Sequence, residues 1–197
     1  MVGEWLFTNY LQVLGAILGL IYIFFSIRQD ILTWPIGLLT SALQVVVFFQ
    51  SKLYADMGLQ VYYVFVSIYG WYFWLKGGKP EESEQVPVRQ TNRQLRCILY
   101  ISSIALYLII LYILKNFTDS DVPYMDSLTT SLSIVATWML AKKYIGHWLI
   151  WIFVDAVSSG LYIYKGLWAF VFLYLVFTFM AIIGYFEWKK DLMKDEK

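Results

Sequence analysis

An all-α membrane protein of seven spanning helices, grouped as three, one and three, is what the sequence predicts. Three observations carry that expectation. Of the 197 residues, 60% are hydrophobic and 20% aromatic, while only 15% are charged, against roughly 25% in soluble domains. With a mean hydropathy of +0.61, a chain of this length cannot hide its apolar side chains in a globular core, so its natural solvent is lipid. Apolar stretches fall at about 9–27, 31–50, 55–75, 96–115, 126–142, 147–164 and 167–188, each near the length that crosses a ~30 Å hydrocarbon core. Finally, residues 34–74 laid over 148–188 without a gap give ten identities in 41 positions, among them Trp34 with Trp148, Gly70 with Gly184 and Trp74 with Trp188.

The repeat sets the organisation. Ile36, Ala42, Leu53, Ala55, Leu59, Phe65 and Ile68 also find identical partners 114 positions on, and the same offset carries the first span onto the fifth. Four spans separate the two starts, so both units share one orientation. They are expected to be parallel repeats related by an axis along the membrane normal, which commonly bracket a substrate site near the midplane. The expected boundaries are a first three-helix bundle at 1–75, a linker at 76–95, a linking helix at 96–115, a second bundle at 116–188 and a tail at 189–197. The segment KGGKPEESEQVPVRQTNRQLR (76–96) is rich in Gly, Pro, Glu and Gln, which predicts a flexible connection. The opening MVGEWLFTNYLQ has no basic region and no small-residue cleavage site, so no removable signal peptide is expected.

Charge orients the spans. Arg28, Lys76, Lys79, Arg89, Arg93, Arg96, Lys142, Lys143, Lys189, Lys190, Lys194 and Lys197 fall on one side, 12 of the 15 Lys and Arg residues; Lys52, Lys115 and Lys165 fall on the other. The positive-inside rule predicts an outside N-terminus and a cytoplasmic linker and C-terminus. The net charge of +1 points to no nucleic-acid partner.

The second, fifth and sixth spans are short or interrupted by polar residues, as spans lining a cavity are. In WLIWIFVDAVSSGLYIY (148–164), Trp148, Trp151, Asp155, Ser158 and Tyr162 recur three or four apart and share a helix face. Asp155 lies roughly 10–12 Å in from Trp148 at ~1.5 Å per residue. A carboxylate at that depth costs at least ~2.5 kcal/mol, so it turns toward protein, water or a cationic partner. A structural Asp bonded to a neighbouring helix is the plain alternative to a role in a transport cavity. Gln60, Tyr63, Ser67 and Trp71 share a face of the third span. The second contributes Thr40, Ser41 and Gln44; the fifth Asp126, Thr129, Thr130, Ser133 and Thr137; the seventh Tyr174 and Thr178. Hydroxyls in spans often bond their own backbone, whereas the amides of Gln44 and Gln60 have four hydrogen-bonding sites that lipid cannot satisfy. Aromatic faces suit a flat heterocycle or delocalised cation, and amides and hydroxyls suit sugar-type hydroxyls. The candidate substrate-binding set is Trp151, Asp155, Gln60, Tyr63, Gln44, Thr40 and Tyr174. Gly37, Gly58, Gly160 and Gly184 are expected to permit close helix approach or bending.

Other classes fit poorly. A single cysteine, Cys97, rules out an internal disulfide framework or a Cys-based zinc site, and no metal or other cofactor is expected. The last span holds no lysine for a retinal Schiff base. Neither HExxH nor GxSxG is present, nor a His–carboxylate pair at depth, so no enzymatic activity is expected. His147, beside Lys142 and Lys143, reads as a solvated residue at the membrane boundary.

FFQSKLYADMGLQVYYVFVSIYGWYFW (48–74), MDSLTTSLSIVATWMLAKKYIGHWLIWIFVDAVSSGLYIYKGLWA (125–169) and the closing IGYFEW closely resemble the corresponding stretches of the PnuC family of bacterial vitamin transporters. Leu53-Tyr54-Ala55, Leu59-Gln60, Gly70-Trp71-Tyr72, Leu132-Ser133-Ile134-Val135, Lys143-Tyr144 and Trp148 with Trp151 carry the likeness, which covers essentially all seven spans. The resemblance implies a SWEET-like arrangement and facilitative uptake of a vitamin precursor across the bacterial cytoplasmic (inner) membrane. It further implies metabolic trapping by an intracellular kinase and a possible homotrimer. Nicotinamide riboside is the leading substrate and thiamine the alternative within the family; other members carry riboflavin or deoxynucleosides. In the nicotinamide riboside carriers a Trp matching Trp151 and a polar residue four positions on contribute to the ligand site. That polar residue is commonly Asn and is Asp155 here, while an Asn common in the second span corresponds to Thr40. From a different class, a membrane sensor that binds the vitamin without moving it is the alternative, and the short linker offers it no output domain.

Overall fold

The computed structural model describes residues 10–50, 54–76, 86–164 and 166–195. They form α1 (Tyr10–Ile27), α2 (Thr33–Gln50), α3 (Tyr54–Lys76), α4 (Arg93–Phe117), α5 (Pro123–Ala141), α6 (His147–Tyr164) and α7 (Trp168–Asp195), one helix for each expected span. Among the described residues there is no strand, only an isolated parallel bridge between Arg89 and Tyr144. Arg93–Phe117 and Trp168–Lys194 are by themselves long and apolar enough to cross a membrane. Helix starts follow local chemistry. Asn92 caps α4, its Oδ1 accepting from the Leu95 amide at 2.7 Å, so this helix begins three residues before the expected 96. Pro123 opens α5, where a missing N–H costs nothing. At the end of α6, Gly166 takes φ +70 and the Leu167 amide reaches back to the Tyr162 carbonyl at 2.9 Å, a turn that favours glycine.

Tryptophans on glycines build the core. The Trp34 ring of α2 lies so close to Gly70 of α3 that an added Cβ would sit 2.4 Å from it; Trp148 of α6 lies over Gly184 of α7, where the figure is 2.6 Å. Trp34 meets Trp74 edge-on at 5.2 Å and 89°, and Trp148 meets Trp188 at 5.7 Å and 86°. Each contact repeats at the offset of 114. The contacts between the two halves repeat as well. Trp74 Nε1 donates to the Ala141 carbonyl at the end of α5 (3.1 Å), and Trp188 Nε1 donates to the Ser26 and Ile27 carbonyls at the end of α1 (3.1 and 3.2 Å). By contrast Gly58 and Gly160 face open space, so of the four glycines expected to permit close helix approach or bending, close approach is seen at Gly37 and Gly184.

Equivalent turns follow α1 and α5. The Gln29 amide donates to the Ser26 carbonyl and Asp30 to Phe25; Lys143 donates to Leu140 and Tyr144 to Met139. Gln29 has φ 56 and Lys143 φ 55, a left-handed turn usually left to glycine that costs roughly 1–2 kcal/mol for other residues. The turns touch through side chains. Lys143 Nζ donates to Gln29 Oε1 at 3.1 Å, and Gln29 Nε2 donates to Asp191 Oδ2 at 2.8 Å. Lys143 is 1% exposed, with Nζ 4.5 Å from the Trp74 ring centre. Burial pushes its ammonium down to about 8, against the pull of the Asp191 carboxylate. Lys142 reaches over Phe73 of α3 at 4.1 Å, so the described basic turns share one end of the bundle.

Two expectations change here. Residues 86–92 are not a free tether: Val86 and Val88 are buried, the Arg89 amide donates to the Lys143 carbonyl (2.8 Å) and the Ile145 amide to the Arg89 carbonyl (3.0 Å). Composition alone misses the two valines, which alternate as on a strand with one buried face. Residues 77–85 lie outside the described residues. His147 is not solvated either. It is fully buried, with ring centres 4.5 Å from Trp148 and 4.7 Å from Trp188. Its Nδ1 lies 2.8 Å from the Tyr144 carbonyl, which can only accept, so Nδ1 carries the proton. It stands where the first half has Thr33, whose hydroxyl donates to the Asp30 carbonyl at 2.7 Å. The same task falls to a different side chain.

Gly70→Ala and Gly184→Ala should each lower stability by about 1–3 kcal/mol, because the indole beneath cannot retreat without shifting the neighbouring helix. Thermal unfolding of the detergent-purified protein, followed by tryptophan fluorescence, reads this directly. Unfolding at the parent's temperature would refute the packing account.

Candidate substrate site

The face predicted for α6 exists. Trp148, Asp155 and Ser158 are buried and Trp151 packs partly buried against the tryptophan core. Asp155 is 5% exposed, and among the described residues no side chain hydrogen-bonds its carboxylate. Only its backbone carbonyl is engaged, accepting from Ser159 Oγ at 2.9 Å. A carboxylate removed from water without a donor or a cation is costly. Its surroundings are phenolic. Tyr63 of α3 and Tyr174 of α7 both lie near enough to Asp155 to interact with it electrostatically. Tyr174 is also coupled to Tyr162 of α6, with ring centres 5.1 Å apart.

Of the seven candidate residues, Asp155, Tyr63 and Tyr174 are thus brought together from α6, α3 and α7. Gln60, half-buried on α3, is the first-half equivalent of Tyr174 at the offset of 114. Gln44 is half-buried on α2 and lies against α1, its Nε2 3.1 Å from where a Cβ of Gly15 would stand. Thr40 spends its hydrogen on its own helix, donating to the Ile36 carbonyl at 2.7 Å. Other hydroxyls do the same: Thr137 donates to Ser133 (2.7 Å), Thr178 to Tyr174 (2.8 Å) and Ser127 to Pro123 (2.6 Å). Asp126 accepts from Ser120 Oγ at 2.7 Å, at the start of α5.

Sequence reasoning overlooked Tyr22 of α1. Its ring packs on Gly37, where an added Cβ would lie 2.9 Å away, and it interacts electrostatically with Tyr63. A lone tyrosine in the apolar run IYIFF was the available signal. Tyr62 was also passed over. Its hydroxyl donates to the Ile134 carbonyl of α5 at 2.8 Å, a link between the two halves beside the site.

Seven apolar helices enclose a buried carboxylate and a group of phenols, and the family that the chain matches is one of membrane transporters. The chain belongs to the PnuC family: the family model described as nicotinamide mononucleotide transporter matches residues 9–190. It is similar to the nicotinamide riboside transporter PnuC of Escherichia coli (strain K12), with 26% identity over 203 residues, covering 91% of this chain and 85% of that protein. It is similar also to the riboflavin/roseoflavin transporter RibM of Streptomyces davaonensis, with 27% identity over 187 residues, covering 94% and 87%. The crystal structure of the vitamin B3 transporter PnuC has the same fold, with a TM-score of 0.75 at 23% identity, covering 94% of this chain and 83% of that one.

Because no described side chain hydrogen-bonds the Asp155 carboxylate, Asp155→Leu should raise thermal stability, by about 1–3 kcal/mol. A fall in the unfolding temperature would mean that the carboxylate holds the helices together.

Proposed function

We propose that the chain is a facilitative carrier, a uniporter, for a vitamin precursor bearing a ring cation, with nicotinamide riboside as the leading substrate. The observation that carries this reading is the buried, unpaired Asp155 among the phenols of Tyr63, Tyr174 and Tyr162. A pyridinium ring is flat and delocalises its charge, so it gains both from a carboxylate in a low-dielectric site and from aromatic faces. Trp151 offers a further face, and the amides of Gln60 and Gln44 are suited to ribose hydroxyls. The relatives named as nicotinamide riboside transporters support the same substrate.

Thiamine is the second reading, favoured by the same carboxylate, since its thiazolium ring is also a delocalised cation. Riboflavin, carried by one relative, has no such charge and gives Asp155 nothing to do. In this reading the seven helices work as two parallel three-helix units joined by α4, a SWEET-like arrangement in which rocking of one unit on the other alternates access. The repeated Trp–Gly contacts and the exchanged indole bonds support that symmetry. Inward flow is downhill, and phosphorylation by a cytoplasmic kinase retains the product. The basic end faces the cytoplasm of a bacterial inner membrane, leaving the N-terminus outside, and three copies assemble as a homotrimer.

Purified protein titrated with nicotinamide riboside, thiamine and riboflavin should bind a cationic ligand best. Asp155→Asn should weaken that binding roughly ten- to a hundredfold, the loss of a charge-assisted contact, and slow uptake into proteoliposomes in parallel. Unchanged affinity in this variant removes Asp155 from the site. Binding with no uptake by the parent protein would instead favour a non-transporting sensor.

A further inference from the structure

The two ends of the bundle are held together differently. Among the described residues, the side-chain hydrogen bonds that cross between the first three helices and the last three include Tyr62 to Ile134, Tyr63 with Ser133 and Thr137, Trp74 to Ala141, Trp188 to Ser26 and Ile27, Lys143 to Gln29 and Gln29 to Asp191. Apart from the Tyr62 and Tyr63 bonds, these lie at the basic end. There Lys143 meets the first half and the linker: its amine donates to Gln29 and lies over the Trp74 ring of α3, and its carbonyl accepts from the Arg89 amide. Gln29 in turn is held by Asp191 on the extension of α7, and Asp191 also pairs with Lys194 at 2.9 Å.

Gln29 and Lys143 are equivalent residues in equivalent turns, and they are the only described non-glycine residues with positive φ. A glycine would satisfy either backbone without strain. Two strained positions, facing each other across the repeat and occupied by an amide and an amine that bond each other, serve the side chains rather than the turns. Identical residues could not do this so well, since a lysine facing a lysine repels. The departure from the repeat supplies the missing acceptor.

We propose that Gln29, Lys143 and Asp191 form a latch that closes the basic end of the carrier, and that linker residues 86–89 act as a strap holding Lys143 in place. The latch is engaged in this structure, and opening toward the basic side breaks the Lys143–Gln29 bond while the tryptophan core acts as the pivot. Arg89 is a positioning residue, acting only through the backbone of Lys143. Strap and latch move together.

This proposal rests on the transport reading, and a cysteine reporter tests it without measuring transport. In a Cys97→Ser background, Ser67→Cys places a thiol on α3 one turn from Tyr63 toward the basic end. Its labelling by a membrane-impermeant maleimide is followed in vesicles of each sidedness. Lys143→Met keeps the bulk and removes the donor; Gln29→Gly removes the acceptor and relieves the strained turn, so it folds even if the methionine variant does not. Either change should speed labelling from the basic side about tenfold, the weight of one charge-assisted hydrogen bond, and leave the unfolding temperature level or higher. Unchanged labelling in a folded variant overturns the latch, as does equal acceleration from both sides. A parent protein that takes up no vitamin would end the transport reading itself, a separate result.

Discussion

Lipid gives two helices no reason to bury apolar surface against each other, since the tails are as apolar as leucine. What remains is close contact and the satisfaction of polar atoms, and in this chain both fall to tryptophans, one pair for each task. The indole of Trp34 on Gly70 and that of Trp148 on Gly184 bring α2 to α3 and α6 to α7 at a distance only glycine allows. Trp74 and Trp188 then use their single N–H donors to join the halves, each at a helix end where carbonyls stand unsatisfied. Everything nearer the opposite end, including the tyrosines around Asp155, is positioned by helices hung from this aromatic core.

That arrangement explains why the site can keep an unfavourable residue. The core at the basic end supplies the packing, so α6 need not optimise its own middle. Asp155 sits buried, without a donor, between phenols contributed by three helices. In a protein selected only to fold, a leucine would serve better there. The cost is local, and the support lies about two helical turns away at Trp148.

Much of this was legible in the sequence because the relevant signals are periodic or rare. Seven apolar runs gave seven helices, and the tryptophans and glycine of the repeat marked the contacts that build the core. The stripe from Trp148 to Ser158 marked a helix face on which Trp148, Asp155 and Ser158 are buried. What stayed hidden depends on partners distant in sequence. Nothing near His147 announces that two indoles will close over it, and the polar flanks of Val86 and Val88 mask a buried strap. That the Thr40 hydroxyl donates to Ile36 on its own helix was likewise not visible in the sequence. Tyr22 lay in an apolar run whose inward face only Gly37 reveals.

The exchange of indole bonds has a bearing on biosynthesis. Trp188 belongs to α7, and the carbonyls it reaches, Ser26 and Ile27, end α1. Trp74 must likewise wait for Ala141, two helices later. A ribosome therefore delivers a first half whose final indole has no acceptor and whose first helix end has no donor, and neither want is met until α5 and then α7 have entered the bilayer. The chain cannot mature piece by piece from its start. The joining of the two halves is complete only when α7 reaches the end of α1.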